Sequence, residues 1–293
     1  MNFKLTRFAP TPSGFLHLGN LYSFLVTKVL AEKHGAKILL RIDDLDQERA
    51  KEEYVQDIFD TLDFMELSYD LGPKNLEGFE SEWSQIHRME QYQAALEELS
   101  EKRLVFACDC SRKKIQEMDS SGYYLGHCQD RRIPLDRKEA AWRFNALETE
   151  FVNLKTYPNQ LNTSLVLPTD IAFSILRKKD LKPAYQLTSL IDDLHFGIDL
   201  IVRGQDLYSS SLAQLALAEK LNKSDFQDIT FFHHPILKGP KKKKLSKSDG
   251  STSIKSMRES GKKPKDIYQT LGEYLGNPEI QDFESFKTQF LKA

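Results

Sequence analysis

Cysteine is scarce in this chain of 293 residues, with three in all, and every one lies between positions 108 and 128. So small and odd a set excludes the disulfide framework that staples small secreted domains, and it leaves metal binding or plain burial of thiols. Long hydrophobic runs are missing as well. None reaches the roughly 18 residues a spanning helix needs, and the opening Met1-Asn2-Phe3-Lys4-Leu5-Thr6-Arg7 is too polar for the hydrophobic region of a signal peptide. Charge of one sign is also lacking, since 41 basic side chains face 43 acidic ones for a net charge of −2. Bulk charge therefore names no polyanionic or membrane partner. These absences predict a soluble, cytoplasmic protein with no membrane association, working as a monomer.

Hydrophobic residues make up 40% of the chain, and its length suits one domain with an insertion or two modest ones. Residues 3–9 alternate and run into Pro10-Thr11-Pro12-Ser13-Gly14, a strand meeting a turn. Leu18, Leu21, Tyr22, Leu25, Val29 and Leu30 then recur at helical spacing, with Gly35 placed to cap the end. Residues 36–42 form a short apolar run of the kind a buried parallel strand shows. Strand, helix and strand in that order open a nucleotide-binding α/β fold of Rossmann type.

Helical patterns follow at 49–62 and 89–102, separated by a loop around Gly72-Pro73 and Gly78. From Leu104 to about Leu167 the character changes: turn signals multiply, no long helical period survives, and all three cysteines fall here. Strand-and-helix character returns at 172–176 and 185–202, where Asp192-Asp193 and Gly197 read as breaks between apolar runs. Residues 207–221 form an amphipathic helix for which Ser209 to Ser211 can supply the N-terminal cap. The expected organisation is 1–103 for the first half of the catalytic domain, 104–170 for an inserted module, 171–253 for the second half, and 254–293 for a short helical tail.

Two segments carry chemistry. Pro10-Thr11-Pro12-Ser13-Gly14-Phe15-Leu16-His17-Leu18-Gly19-Asn20 lies where the first strand yields to the first helix. Backbone N–H groups and the helix dipole there favour phosphate oxygens, Gly14 and Gly19 allow a nucleotide close, and His17 can donate to a phosphate as charge builds. The second segment is Lys241-Lys242-Lys243-Lys244-Leu245-Ser246-Lys247-Ser248, whose lysines can follow charge onto a leaving pyrophosphate. Each has a plainer reading: a Pro-rich turn capping a helix, and a solvated basic loop.

Taken together the two segments resemble the signature motifs of class I aminoacyl-tRNA synthetases, approximately HIGH and KMSKS. The glutamyl branch is the one resembled, through Arg7-Phe8-Ala9-Pro10-Thr11-Pro12-Ser13-Gly14, Arg41-Ile42-Asp43-Asp44-Leu45-Asp46, Ala184-Tyr185-Gln186-Leu187, Asp192-Asp193 and Val202-Arg203-Gly204-Gln205-Asp206. These stretches stand in family order from residue 7 to about 250. The resemblance implies an ATP-dependent ligase that joins an amino acid's α-carboxylate to the α-phosphorus of ATP and releases pyrophosphate. It implies ATP, with Mg²⁺, at Pro10, Ser13, Gly14, His17, Gly19, Asn20, Lys244 and Lys247, with His17 and Lys247 the catalytic contacts. Glutamate falls to Arg7 and Arg203 through its carboxylates and to Asp43 and Tyr185 through its ammonium. Without the resemblance, Arg203 has the plainer reading of an ion pair with Asp206, and Asp192 and Asp193 read equally as loop acids outside the site.

Within that branch the chain resembles the glutamyl-Q tRNA(Asp) synthetases, short paralogues that glutamylate the queuosine base of tRNA(Asp). Only roughly 45 residues follow the lysine loop, too few for the anticodon-binding domains of full-length glutamyl enzymes. Cys108-Asp109-Cys110 with Tyr123-Tyr124-Leu125-Gly126-His127-Cys128 resembles that family's zinc site, whose ligands match Cys108, Cys110, Tyr124 and Cys128. Spacing alone nominates His127 as the fourth ligand, and the family pattern Tyr-x-Gly-x-Cys points to Tyr124. There are departures. Most glutamyl and glutamyl-Q enzymes have Glu where this chain has Asp43, glutaminyl enzymes carry Asp there, and Leu181 replaces a usual Gly. The other acceptor to weigh is the 3′ end of a tRNA, charged by a truncated glutamyl- or glutaminyl-type enzyme.

Overall fold

The computed structural model describes residues 1–146, 149, 151–159, 161–237 and 253–292. In chain order the elements are β1 (Leu5–Phe8), α1 (Leu18–His34), β2 (Lys37–Leu40), α2 (Glu52–Phe64), α3 (Leu76–Gly78), α4 (Met89–Glu101), β3 (Val105–Cys108) and α5 (Arg112–Met118). Then come β4 (Ala141–Phe144), β5 (Phe151–Thr156), β6 (Leu161–Val166), β7 (Ile175–Arg177), α6 (Tyr185–His195), β8 (Leu200–Gly204), α7 (Tyr208–Lys220) and α8 (Ser224–Gln227). The last are β9 (Thr230–His234), α9 (Ile254–Glu259), α10 (Pro264–Leu275) and α11 (Phe283–Lys292).

The chain divides into two compact units, one of residues 1–87, 199–206 and 232–293, the other of 88–198 and 207–231. In the first unit β1 and β2 pair in parallel, Leu5 against Lys37 through Phe8 against Leu40. Strand β8 runs beside β1. Asp199 N donates to Leu5 O at 3.1 Å and Arg7 Nη1 donates to Val202 O at 3.1 Å, so residue numbers rise together along the two strands. Helix α1 is apolar nearly all round, with Leu18, Leu21, Phe24, Leu25, Val26, Val29, Leu30 and Ala31 buried. Only its last turn, with Glu32 and Lys33, is exposed, and the rest is covered by the strands and by α11. Phe8 and Phe24 meet with ring centroids 4.8 Å apart. Gly35 ends α1 in the left-handed conformation at φ 70°, as its position predicts.

In the second unit β3, β4 and β7 form an antiparallel sheet, and β5 and β6 pair antiparallel from Phe151 against Val166 to Thr156 against Leu161. Helix α6 packs against α4 and α7. Because β7 pairs with β4, the sheet begun in the cysteine-bearing stretch runs past residue 170. Contacts also group α4 with this unit, so the compact units do not follow the composition change at 103/104.

Two local expectations give way. Helix α7 begins at Tyr208 after a 3₁₀ turn at Gln205–Leu207, and its N-cap Leu207 has no side-chain bond, so Ser209 to Ser211 lie inside the helix rather than before it. Ser211 instead returns its hydroxyl to Leu207 O at 3.2 Å. Asp192 and Asp193 are not loop acids: both belong to α6 and both are fully buried. Leu181, where the resembled family has Gly, takes φ 68°. That left-handed conformation costs a side-chain-bearing residue about 1–2 kcal/mol relative to Gly.

Candidate active site and candidate metal centre

His17 is the N-cap of α1, and its backbone is extended, with φ −122° and ψ 172°. The ring folds back over the first turn, and Nδ1 accepts from Gly19 N at 3.1 Å and from Asn20 N at 3.3 Å. Asn20 Oδ1 reciprocates by accepting from His17 N at 3.1 Å, which completes a capping box. The cap settles the tautomer of the neutral ring. With the Nδ1 lone pair engaged by two backbone donors, the proton sits on Nε2, and that nitrogen is the donor. No acidic side chain occupies the first turn of α1 to compete with an anion there. Gly19 leaves this ring its room, for a Cβ on it would stand 3.0 Å from His17 Cε1 and 3.1 Å from Nδ1 and press the ring aside.

The loop before His17 is drawn toward the end of β2: Arg41 N donates to Phe8 O at 2.9 Å and Asp43 N to Pro10 O at 3.0 Å. Ser13 N closes a tight turn onto Thr11 O at 2.8 Å, and Gly14 follows with φ 152°, open to glycine. Arg7 stands near the end of β1, Asp43 just beyond β2 and Arg203 near the end of β8, each 8% exposed or less. Three side-by-side strands thus present Arg7, Asp43 and Arg203 at their carboxyl ends, where open α/β sheets take ligands. His17 lies on the segment leaving β1 at that same end. Tyr185 is the first residue of α6 in the second unit and is 37% exposed. Lys244 and Lys247 lie outside the described residues.

Asp43 has a partner that motif matching does not name. Arg41 Nε donates to Asp43 Oδ1 at 2.7 Å and Arg41 Nη2 to Oδ2 at 3.1 Å, with both side chains buried. This bidentate pairing fixes the plane of the carboxylate. Asp44 is structural: it accepts from Ser84 Oγ at 2.5 Å and Gln85 N at 2.8 Å. His233, on β9, is also new. Burial first, then the nearby Arg203 charge and then His234, pull its pKa down to about 3, so it stands neutral beside Arg203. The His233-His234-Pro235 run was its only trace in the sequence.

In the second unit the thiols of Cys108, Cys110 and Cys128 converge, with their sulfur atoms all within 4.8 Å of one another and buried. Cys110 and Cys128 Sγ are 3.4 Å apart. Tyr124 is buried against the same group, and its hydroxyl accepts from Cys128 N at 2.8 Å. Gly126 makes this turn possible: it has φ 88°, and a Cβ there would stand 2.7 Å from the Phe173 ring. Burial, with Cys128 and Cys108 alongside, pushes the Cys110 thiol up to about 12. Burial opposes charge on Cys128 too, yet bonds from Tyr124 and Arg131 and from the neighbouring thiols hold it below the ordinary thiol range.

Three converging thiols suit zinc, and the Tyr124 hydroxyl lies against Cys128 beside them. His127 is not among the converging groups, and its ring stands edge-on to Tyr124 with centroids 5.6 Å apart. Two arginines flank the donors. Arg131 Nη1 is 3.2 Å from Cys128 Sγ while also paired with Asp109, and the Arg143 guanidinium lies 3.7 Å from the Tyr124 ring centroid. A divalent ion held by three thiolates would be net negative, and these cations would offset that charge.

Among solved structures, glutamate-tRNA synthetase from Elizabethkingia anophelis superposes with a TM-score of 0.74 at 21% identity, over 98% of this chain and 65% of that one. At that identity the likeness shows the fold. In sequence the chain is 32% identical to the glutamate–tRNA ligase of Ectopseudomonas mendocina (strain ymp), over 91% of its own length and 56% of that protein. It is 30% identical to glutamate–tRNA ligase 2 of Nitrosococcus oceani, over 97% of its length and 62% of that protein. The chain thus spans somewhat more than half the length of these curated relatives. The family model described as tRNA synthetases class I (E and Q), catalytic domain, matches residues 5–289, and the chain belongs to that family.

Proposed function

We propose that the protein activates glutamate with ATP to glutamyl-adenylate and transfers the glutamyl group to the queuosine base of tRNA(Asp). The observation that carries the adenylation half is the His17 cap, which spends Nδ1 on Gly19 N and Asn20 N and so makes Nε2 the donor nitrogen of the ring. In the reaction the glutamate α-carboxylate attacks the α-phosphorus of ATP and pyrophosphate leaves. The site has to orient two anions and neutralise charge as it shifts. His17 supplies a donor, and Lys244 and Lys247, with Mg²⁺ carried in on ATP, supply charge. Within the first unit Arg203 and Arg7 hold carboxylates, and Asp43, braced by Arg41, takes the ammonium.

The base-directed acceptor is supported by the cysteine cluster, whose Tyr-x-Gly-x-Cys pattern resembles that of the glutamyl-Q enzymes. The alternative acceptor, a tRNA 3′ end, is favoured by the names of the relatives, which are glutamate–tRNA ligases. ATP–pyrophosphate exchange over an amino-acid panel tests activation: exchange with glutamate and not glutamine, without tRNA, is the expected result, and exchange with glutamine alone would move the assignment to Asp43's glutaminyl reading. Radiolabelled glutamate on tRNA(Asp), followed by nuclease digestion, then tests the acceptor. Label on an anticodon fragment that requires queuosine supports the proposal, and label on the terminal adenosine overturns it.

Zinc is assigned to Cys108, Cys110, Tyr124 and Cys128 as a structural ion, holding β3 to the turn at residues 124–128. Metal analysis of the purified protein is expected to give about one zinc per chain, in line with a single four-ligand site. Cys128→Ser is expected to lose the metal and lower the Tm by several degrees. Full metal retention in Cys128→Ser would remove it from the ligand set.

A further inference from the structure

The residue just before His17 is held at both of its backbone polar groups by side chains and helices that no signature motif includes. Leu16 N donates to Asp57 Oδ2 at 3.3 Å, and Leu16 O accepts from Ile254 N at 2.8 Å, the first residue of α9. The other oxygen of Asp57 accepts from Arg258 Nη2 at 3.0 Å, and the same nitrogen lies 3.4 Å from Asp60 Oδ2. Asp57 on α2 and Arg258 on α9 therefore close a ring of contacts around Leu16. Neighbouring rings tighten it. Phe15 sits edge-on to Tyr54 at 4.9 Å, and Lys255 Nζ stands 4.2 Å from the Phe15 centroid.

Asp57 would read from sequence as an acid on the exposed face of an amphipathic helix, yet it is 2% exposed. A carboxylate is not placed there without return. Its return is a fixed Leu16, and the orientation of the His17 ring depends on the backbone leaving Leu16, because cap geometry is set by the N-cap residue's own φ and ψ.

We propose that Asp57 and Arg258 are positioning residues for His17, holding Leu16 so that the ring keeps its cap and aims Nε2 at the phosphate; this rests on the role given to His17 above. The pair acts on the rate of adenylate formation and not on the affinity for either substrate.

Asp57→Ala removes both bonds, Asp57→Asn keeps an acceptor for Leu16 N, and Arg258→Met removes only the brace. In glutamate-dependent pyrophosphate exchange, at a temperature where circular dichroism shows every variant folded, Asp57→Ala is expected to lower kcat about ten- to hundredfold, the scale of a reacting group misplaced by an ångström or less. The KM values for ATP and glutamate should stay within about twofold, since the substrates' own contacts are intact. Asp57→Asn should recover most of the rate, and Asp57→Ala with Arg258→Met should be no slower than Asp57→Ala alone, as members of one unit behave.

An unchanged kcat in Asp57→Ala, or a loss carried by KM, would overturn the proposal. Long-range ¹H–¹⁵N spectra of the His17 ring give a readout independent of turnover. The wild type should show the Nε2–H tautomer and Asp57→Ala a mixture, whereas identical ring spectra would overturn the positioning role even if exchange were absent from the wild type. Absence of exchange with the expected ring spectra would instead sink the adenylation reading alone.

Discussion

Replacing His17 by Asn is expected to preserve the fold and to lower pyrophosphate exchange by about 10²–10³, the usual cost of removing one donor that meets developing charge. The two consequences separate because the ring has two nitrogens with two duties. Asn is among the best N-cap residues, and its carbonyl can take over from Nδ1 as acceptor for Gly19 N and Asn20 N. It has no donor where Nε2–H stands. His17→Ala should lose the cap as well, about 1 kcal/mol of stability. Thermal unfolding and exchange kinetics on the same two variants make the comparison. Wild-type exchange in His17→Asn would reduce His17 to a capping residue.

The second large effect falls on stability. Asp192 is fully buried in α6, where Arg88 Nε donates to its Oδ1 at 2.7 Å, Arg88 Nη2 to its Oδ2 at 3.2 Å, and Tyr92 OH to Oδ1 at 2.5 Å. Burial, reinforced by the Asp192 charge, keeps the Tyr92 phenol protonated far above its ordinary range, so it serves as a donor throughout. Asp192→Ala leaves the Arg88 guanidinium, 4% exposed, without its carboxylate. The expected cost is about 3–5 kcal/mol in denaturant unfolding, the figure for a buried ion pair that loses one member. Adding Arg88→Met and Tyr92→Phe to that variant should return most of it, because an apolar core of similar volume does not need the pair. A cost below about 1 kcal/mol for Asp192→Ala would mean that water reaches Arg88.

The local order of the chain was legible where periodicity and punctuation agreed. Strand β1, helix α1 with its Gly35 cap, β2 and α4 all stand close to where apolar spacing puts them. Family order then led to Arg7, Asp43 and Arg203, which the first unit gathers at three strand ends. The failures share a cause in distance. Asp192 reads as a break because its partner Arg88 is 104 positions away, and no window along the chain shows an acid satisfied that far off. Asp57 was hidden for the same reason, being joined to Leu16 across 41 positions and to Arg258 across 201. Ser209 to Ser211 look like a cap, but the chain enters α7 already turning, which puts them inside its first turn rather than ahead of it.

The pairing of β3 with β4 carries one more consequence. These antiparallel neighbours, Val105 against Phe144 through Cys108 against Ala141, are joined by residues 109–140, a connection far longer than the two to five residues of an ordinary hairpin. Bringing its ends together from the unfolded chain has an entropic cost that grows with the length of chain left free. An ion gripping Cys108, Cys110, Tyr124 and Cys128 would tie the middle of that connection back to the end of β3 and leave residues 129–140 as the only span to close. The metal would then act as a removable cross-link that shortens the route to a native sheet, and its absence would be felt first in how fast that sheet forms.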